Sequence, residues 1–270
     1  MQATTNSNSG VASAPIIAVT YSSLEFAGWD RRSPWQFTLR SVVAAGGVPL
    51  AIDCATEQPK IVDLVALADG LLVLGGGDVD PRRYGGDTED PTVGGVNPMR
   101  DENEVAALAA ARSRGCPTLA ICRGFQLLNA DLGGVLVADL PRDRPSFVDH
   151  RPGMGALMGV QHDVDVSEGS QLARWLGRSG AVGVNSEHHQ GLAQAGDGLV
   201  ITARSADGLV EAVETPDGRV VGVQWHPEML WTADEAALDL LRGFVAECRS
   251  WRDEDEHGRP IHPRRRAPLP

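Results

Sequence analysis

From about Pro15 onward, apolar runs of strand length alternate with stretches whose apolar positions recur at helical spacing. Ile16 to Tyr21 predicts a strand, and Ser33 followed by Pro34 predicts an N-cap and N1 proline opening a helix toward Ala45. Val48 to Ile52 predicts the next strand. Ile61, Leu64, Val65 and Ala68 share one helical face, and the apolar run Leu71 to Leu74 after them has the length of a buried strand and ends in Gly75, Gly76 and Gly77. A long loop then leads to a helix from Arg100 to Arg114, with Asp101, Glu102 and Glu104 placed early, where the helix dipole favours acids. Pro117 to Ile121 predicts a strand that turns abruptly into a helix from Arg123 to Leu132, stopped by Gly133 and Gly134. Further strands are expected near Val160 to Val166, Leu199 to Ala203, Val210 to Glu214 and Val220 to Trp225. Pro216-Asp217-Gly218 carries hairpin chemistry, and Thr232 to Arg249 closes the pattern as a helix.

Strand and helix in alternation predict an α/β domain with a mainly parallel central sheet, flanking helices and a small antiparallel appendage. The pattern holds over residues 15–249, without internal repeats. Residues 1–14 read as a disordered N-terminal tail, and 250–270, with opposed charge blocks and clustered prolines, as a flexible C-terminal tail or surface strap. A hydrophobic content of 42% in 270 residues is ample for a core. The balance of 24 basic against 36 acidic residues, net −12, argues against nucleic acid or an anionic membrane as partner and favours a small polar ligand. Asp63 and Asp69 interrupt the longest apolar stretch, so no membrane span is expected. The N-terminus has no basic residue before Arg31 and so lacks a secretory n-region, which makes a cytoplasmic location the expectation. Cys54, Cys116, Cys122 and Cys248 are too few and too scattered for a disulfide framework.

Cys122 stands apart from the other three because of its setting in Leu-Ala-Ile-Cys-Arg-Gly. A nucleophile on a sharp turn between a buried strand and a helix is held open at the strand's carboxyl end, with the helix dipole behind it to favour the thiolate. Gly124 supplies backbone clearance there. A thiol nucleophile needs a base, and the base needs a group that fixes its tautomer. In an extended chain Gln224, His226 and Glu228 project to one side at period two, so Glu228 can hold the imidazole of His226 while the other ring nitrogen faces Cys122. Oxyanion donors are expected from the backbone N–H of Arg123 and from the glycine turn, with Gly76 the best single choice. The adjacent His188 and His189 lack both a third ligand nearby and i, i+4 spacing, so substrate contact or loop structure is a better reading than metal.

Five segments in order, LLVLGGGDVDPRRYGG, RDENE, AICRGFQLLNADLGGVLVADL, VNSEHHQGL and GVQWHPE, give the chain a specific resemblance over about Pro15 to Phe244. It resembles the class I glutamine amidotransferase superfamily, and within it the gamma-glutamyl-gamma-aminobutyrate hydrolase family. The resemblance implies the flavodoxin-like α/β sandwich of that superfamily. It also implies a cysteine hydrolase that cleaves the gamma-glutamyl amide of a small amine, such as glutamylated GABA or a glutamylated polyamine of putrescine catabolism, through a glutamyl thioester. Carried onto this chain, Cys122 is nucleophile, His226 base and acid, Glu228 its orienting group, and Gly76 and Arg123 the oxyanion hole. Gln126, Asn185, Ser186, His188 and His189 fall in the stretches beside the glutamyl group, while Asp101 and Glu104 match a pattern whose role the sequence does not explain. The proline usual before the triple glycine is Leu74 here.

No cofactor and no metal is implied; the partner is a small gamma-glutamyl amide, and a homodimer is an open option. Two other functions remain: a glutaminase handing ammonia to a synthase, against which stands the lack of a synthetase region in 270 residues, and a catalytically silent binding protein. The loop after the glycine turn carries both acids (Asp78, Asp80, Asp87) and bases (Arg82, Arg83), so charge does not choose between a cationic and a carboxylate-bearing leaving amine.

Overall fold

The computed structural model describes residues 13–23, 34–54 and 56–258. The elements in chain order are β1 (Ile16–Tyr21), α1 (Pro34–Ala44), β2 (Val48–Asp53), α2 (Gln58–Ala66), β3 (Gly70–Val73), α3 (Pro98–Ser113), β4 (Thr118–Ile121) and α4 (Arg123–Asp131). There follow β5 (Val135–Val137), α5 (Leu140–Asp143), β6 (His162–Val166), α6 (Gln171–Leu176), β7 (Gly180–Val184), β8 (Gly191–Gln194), β9 (Val200–Ser205), β10 (Val210–Glu214), β11 (Val220–Val223), α7 (Pro227–Leu230) and α8 (Glu235–Gly258). Ser33, expected to cap α1, lies outside the described residues.

One sheet runs in the order β2-β1-β3-β4-β11-β10-β9-β6-β7, with β5 and β8 paired beside β10. From β2 to β11 the pairs are parallel, and from β11 to β7 they are antiparallel. The antiparallel part is therefore larger than a small appendage. Strands β6, β9, β10 and β11 are those the pattern predicts, whereas β5, β7 and β8 carry no such signal because β5 and β8 are short and β7 (Gly-Ala-Val-Gly-Val) is glycine-rich, which leaves little period to detect.

Successive residues of the central strands feed two separate cores, which is why those strands read as unbroken apolar runs. Leu72, Leu119 and Val221 pack with Val42 of α1, Leu172 of α6 and Leu240 and Phe244 of α8. Leu71, Val73 and Ala120 pack on the opposite face with Ile61 and Val65 of α2, Leu108 of α3 and Phe125 of α4. Helix α6 is delimited by Ser170, whose Oγ accepts from the Ala173 N–H at 3.0 Å, and by Gly177 in the left-handed region.

The C-terminal boundary differs from expectation. Helix α8 continues past Arg249 to Gly258, because its buried stripe of Phe244, Val245 and Cys248 extends to Trp251 and Arg252. Trp251 stacks under the Arg114 guanidinium at 5.1 Å, and Arg252 donates to the Ser13 carbonyl at 2.7 Å. The acidic run that read as a tail is thus partly the solvent face of a helix, and Ser13, expected in the N-terminal tail, is tied to it. No helix among the described residues is long and apolar enough to cross a membrane.

Candidate active site

Strands β3, β4 and β11 lie side by side and parallel, so their carboxyl ends deliver three loops to one place, the usual position of a site in such a sheet. β3 delivers Gly75 to Gly77, β4 delivers Cys122 and β11 leads to His226.

Cys122 has φ 51° and ψ −105°, the only positive φ at a non-glycine position among the described residues. Its N–H donates to the Val223 carbonyl at 2.8 Å and its own carbonyl accepts from the Gln126 N–H at 3.0 Å, so β11 and the first turn of α4 hold the strained backbone on both sides. The helix begins at once and packs tightly against β3. A Cβ on Gly124 would stand 2.5 Å from the Val73 carbonyl oxygen, which explains why only glycine fits after Arg123.

The geometry of the histidine differs from the strand reading. β11 ends at Val223, His226 caps the short helix α7, and Pro227 opens that helix instead of closing a strand. Glu228 reaches His226 all the same, across the helix start, with Oε1 accepting from Nδ1 at 2.7 Å. The ring lies over Gly75, where a Cβ would come within 2.8 Å of its Cε1 and 3.6 Å of the Cys122 Cβ. Burial disfavours a charge on His226, but the Cys122 thiolate and the Glu228 carboxylate outweigh it and raise the pKa well above the ordinary imidazole value. The His226 ring and the Cys122 side chain thus adjoin across Gly75. Thiol, imidazole and carboxylate are therefore neighbours in that order, an arrangement suited to acyl transfer.

Asn185 and Ser186 are fully buried and do not line the cavity in front of Cys122. Asn185 works from behind: its Oδ1 accepts from the His226 N–H at 2.8 Å and its Nδ2 donates to the His226 carbonyl at 2.9 Å, clamping the backbone of the histidine. Ser186 donates to the His150 carbonyl at 2.8 Å. The cavity, about 310 Å³, is lined by Gly76, Cys122, Gln126, His188 and His189 as expected, and also by Asp78, Thr92, Arg151, Met154, Glu187 and Gln190. Gln126 is held by Nε2 donation to the Gln190 carbonyl at 3.1 Å and to the Gln224 side chain at 3.0 Å.

Of the charges expected in the loop, Asp78 alone lines the cavity. The Asp80 carboxylate binds the Arg82 N–H and guanidinium, and Arg83 lies 3.5 Å from Asp101. Asp78 accepts from His189 Nε2 at 3.0 Å, and this hydrogen bond, working against burial, raises the His189 pKa. Arg151 and Glu187, 3.7 Å apart, complete the charged wall. No periodic or turn signal marks these loop residues in the sequence.

The acids of α3 acquire a role. Asp101 and Glu104 are fully buried and each binds the guanidinium of Arg123, the residue after Cys122. Arg100 donates to Glu104 at 3.0 Å and to the Gly75 carbonyl at 2.9 Å, while Thr20 donates to Glu104 at 2.9 Å. One ion network thus fastens the elbow and the glycine turn to a helix. Removing one member leaves buried charge uncompensated, so Glu104→Ala should lose about 3–5 kcal/mol of stability in urea unfolding. A loss below about 1 kcal/mol would mean that the network is not what holds these parts together.

Solved structures with the same architecture include a putative GMP synthase component from Thermoplasma acidophilum, with TM-score 0.60 and 17% identity over 90% of this chain and 98% of that one. The glutaminase domain of Trypanosoma brucei CTPS with bound acivicin aligns with TM-score 0.57 and 20% identity over 88% of this chain and 94% of that one. The fold is that of the class I glutamine amidotransferases. Within that class, residues 15–228 match the Peptidase C26 family, and the chain belongs to it. Among its relatives, the gamma-glutamyl-gamma-aminobutyrate hydrolase PuuD of Escherichia coli (strain K12) is 34% identical over 244 residues, 87% of this chain and 94% of that one. A putative glutamine amidotransferase of Mycobacterium tuberculosis is 36% identical over 207 residues, 76% of this chain and 63% of that one.

Proposed function

We propose that the protein hydrolyses the gamma-glutamyl amide of a small amine, releasing glutamate and the free amine. The observation that carries this reading is the placement of Glu228 and His226 beside Cys122, which itself lines a cavity of small-molecule size. The name of the Escherichia coli relative supports the substrate class.

The Cys122 thiolate attacks the δ-carbonyl carbon and forms a C–S bond, and the carbonyl electron pair moves onto oxygen. The oxyanion is met by the backbone N–H groups of Gly76 and Arg123; that of Arg123 has no helical acceptor because it begins α4. Collapse breaks the C–N bond, and the His226 imidazolium gives its proton to the departing amine. A water molecule then loses a proton to His226 and attacks the thioester carbonyl, so that glutamate leaves and the thiolate returns. Glu228 keeps Nδ1 protonated and stabilises the imidazolium throughout. Gln126, His188 and His189 contact the substrate, while Asn185 is a positioning residue. A cytoplasmic location and self-association as a homodimer belong to this same reading.

The test is product release from a panel of gamma-glutamyl amides of GABA and polyamines, with glutamine included, using the purified chain. Cleavage of the substituted amides in preference to glutamine supports the proposal and names the amine. Turnover of glutamine alone would replace it with a glutaminase that feeds a synthase, and no turnover of any member would remove the hydrolase reading.

A further inference from the structure

Behind the cavity wall lies a second cluster of polar groups that shares only His188 with the site described above. Glu211 of β10 is fully buried, and three imidazole nitrogens converge on its Oε1: His150 Nδ1 at 3.3 Å, His162 Nε2 at 3.5 Å and His188 Nε2 at 3.8 Å. These side chains come from a loop, the start of β6, the loop after β7 and the middle of the sheet. None of the four converging atoms has a hydrogen-bond partner among the described residues.

The outer nitrogens show what the inner ones carry. His150 Nε2 stands 3.0 Å from the carboxylate of Asp207, and His188 Nδ1 stands 2.9 Å from the Gln190 carbonyl. A carboxylate and a carbonyl can only accept, so both outer nitrogens bear the proton. On neutral rings the inner nitrogens are then lone pairs aimed at the Glu211 carboxylate. That arrangement is repulsive unless a cation or an extra proton stands between them. Charge-assisted N–H to carboxylate bonds run to about 2.7–2.9 Å, shorter than any of the three separations. Ligand atoms each about 2 Å from a tetrahedral ion are instead spaced roughly 3.3 Å apart, close to the His150 and His162 distances.

We infer that His150 Nδ1, His162 Nε2 and the Glu211 carboxylate form a binding site for a divalent zinc-like ion, with His188 Nε2 beside the fourth position. The three core ligand atoms lie within 4.8 Å of one another. Two imidazoles and a carboxylate suit a d-block ion better than magnesium or calcium. The contacts of His150 with Asp207 and of His188 with Gln190 are the outer partners that orient metal-bound imidazoles. The site would brace the cavity wall, because Arg151 and Met154 follow closely after His150 and His188 is itself part of the lining. Local spacing could not reveal it, since the ligands are scattered from 150 to 211.

Full-length protein purified without chelator and equilibrated with buffered Zn²⁺ should retain stoichiometric zinc by mass spectrometry. Co²⁺ in its place should give the visible absorption of a tetrahedral site. His162→Ala and Glu211→Gln should abolish retention, and Asp207→Asn should weaken affinity by about 10–100-fold. Cys122→Ala must retain as much zinc as the wild type, because Cys122 with His226 is the rival ligand pair. Wild-type protein that takes up neither ion, uptake lost in Cys122→Ala, or uptake undiminished in both His162→Ala and Glu211→Gln would overturn the assignment. The wild-type measurement needs no variant to fold.

Discussion

Cys122→Ala is expected to lower amide hydrolysis by about 10⁴-fold or more while leaving the fold intact, since it removes the atom that forms the covalent bond and keeps a Cβ of the same size at the strained position. The β4-elbow-α4 backbone is held by the Val223 and Gln126 hydrogen bonds, none of which uses the thiol. Circular dichroism should therefore match the wild type, and thermal unfolding should remain a single cooperative transition. A second readout follows from the charge that raises the His226 pKa: with the thiolate gone, the imidazole should titrate at lower pH by NMR. Because the folded pKa is raised, the protonated ring stabilises the native state fully below about pH 6.5 and loses that contribution as pH rises through the folded value. The variant should show a smaller loss over that range. Retained turnover, or an unmoved His226 titration, would separate Cys122 from the chemistry.

Glu228→Gln should reduce kcat by about 10²–10⁴-fold with little change in KM, because an amide no longer stabilises the imidazolium and fixes its tautomer poorly. The side chain keeps its length, so the start of α7 and the Asn185 clamp on His226 should stay in place. As Glu228 also raises the His226 pKa, this substitution too should move the titration down. Wild-type rates would remove Glu228 from the triad and leave the carboxylate a structural group.

Much of this was legible in the chain because it is local. The strand, sharp turn and helix around Cys122 are contiguous, and the apolar runs of β1, β3 and β4 are long enough to stand out. His226 and Glu228 meet as their spacing predicts but by another geometry: Pro227 starts a helix where strand alternation is expected, and both arrangements bring positions two apart within reach.

What the sequence determined by itself, then, is the longer strands and helices and the local settings of Cys122 and of His226 with Glu228, since both depend on neighbours a few residues away. Tertiary structure alone decided what those side chains meet. Asp101 and Glu104 became the anchor of the elbow because α3 packs beside α4, and Asn185 became a clamp on His226 because the loop after β7 returns beneath the loop after β11. The same holds for His150, His162, His188 and Glu211, which meet because the antiparallel half of the sheet folds back behind the cavity. Contacts between residues tens of positions apart leave no period or spacing in the chain; they follow from how buried charges find partners once the layers have packed.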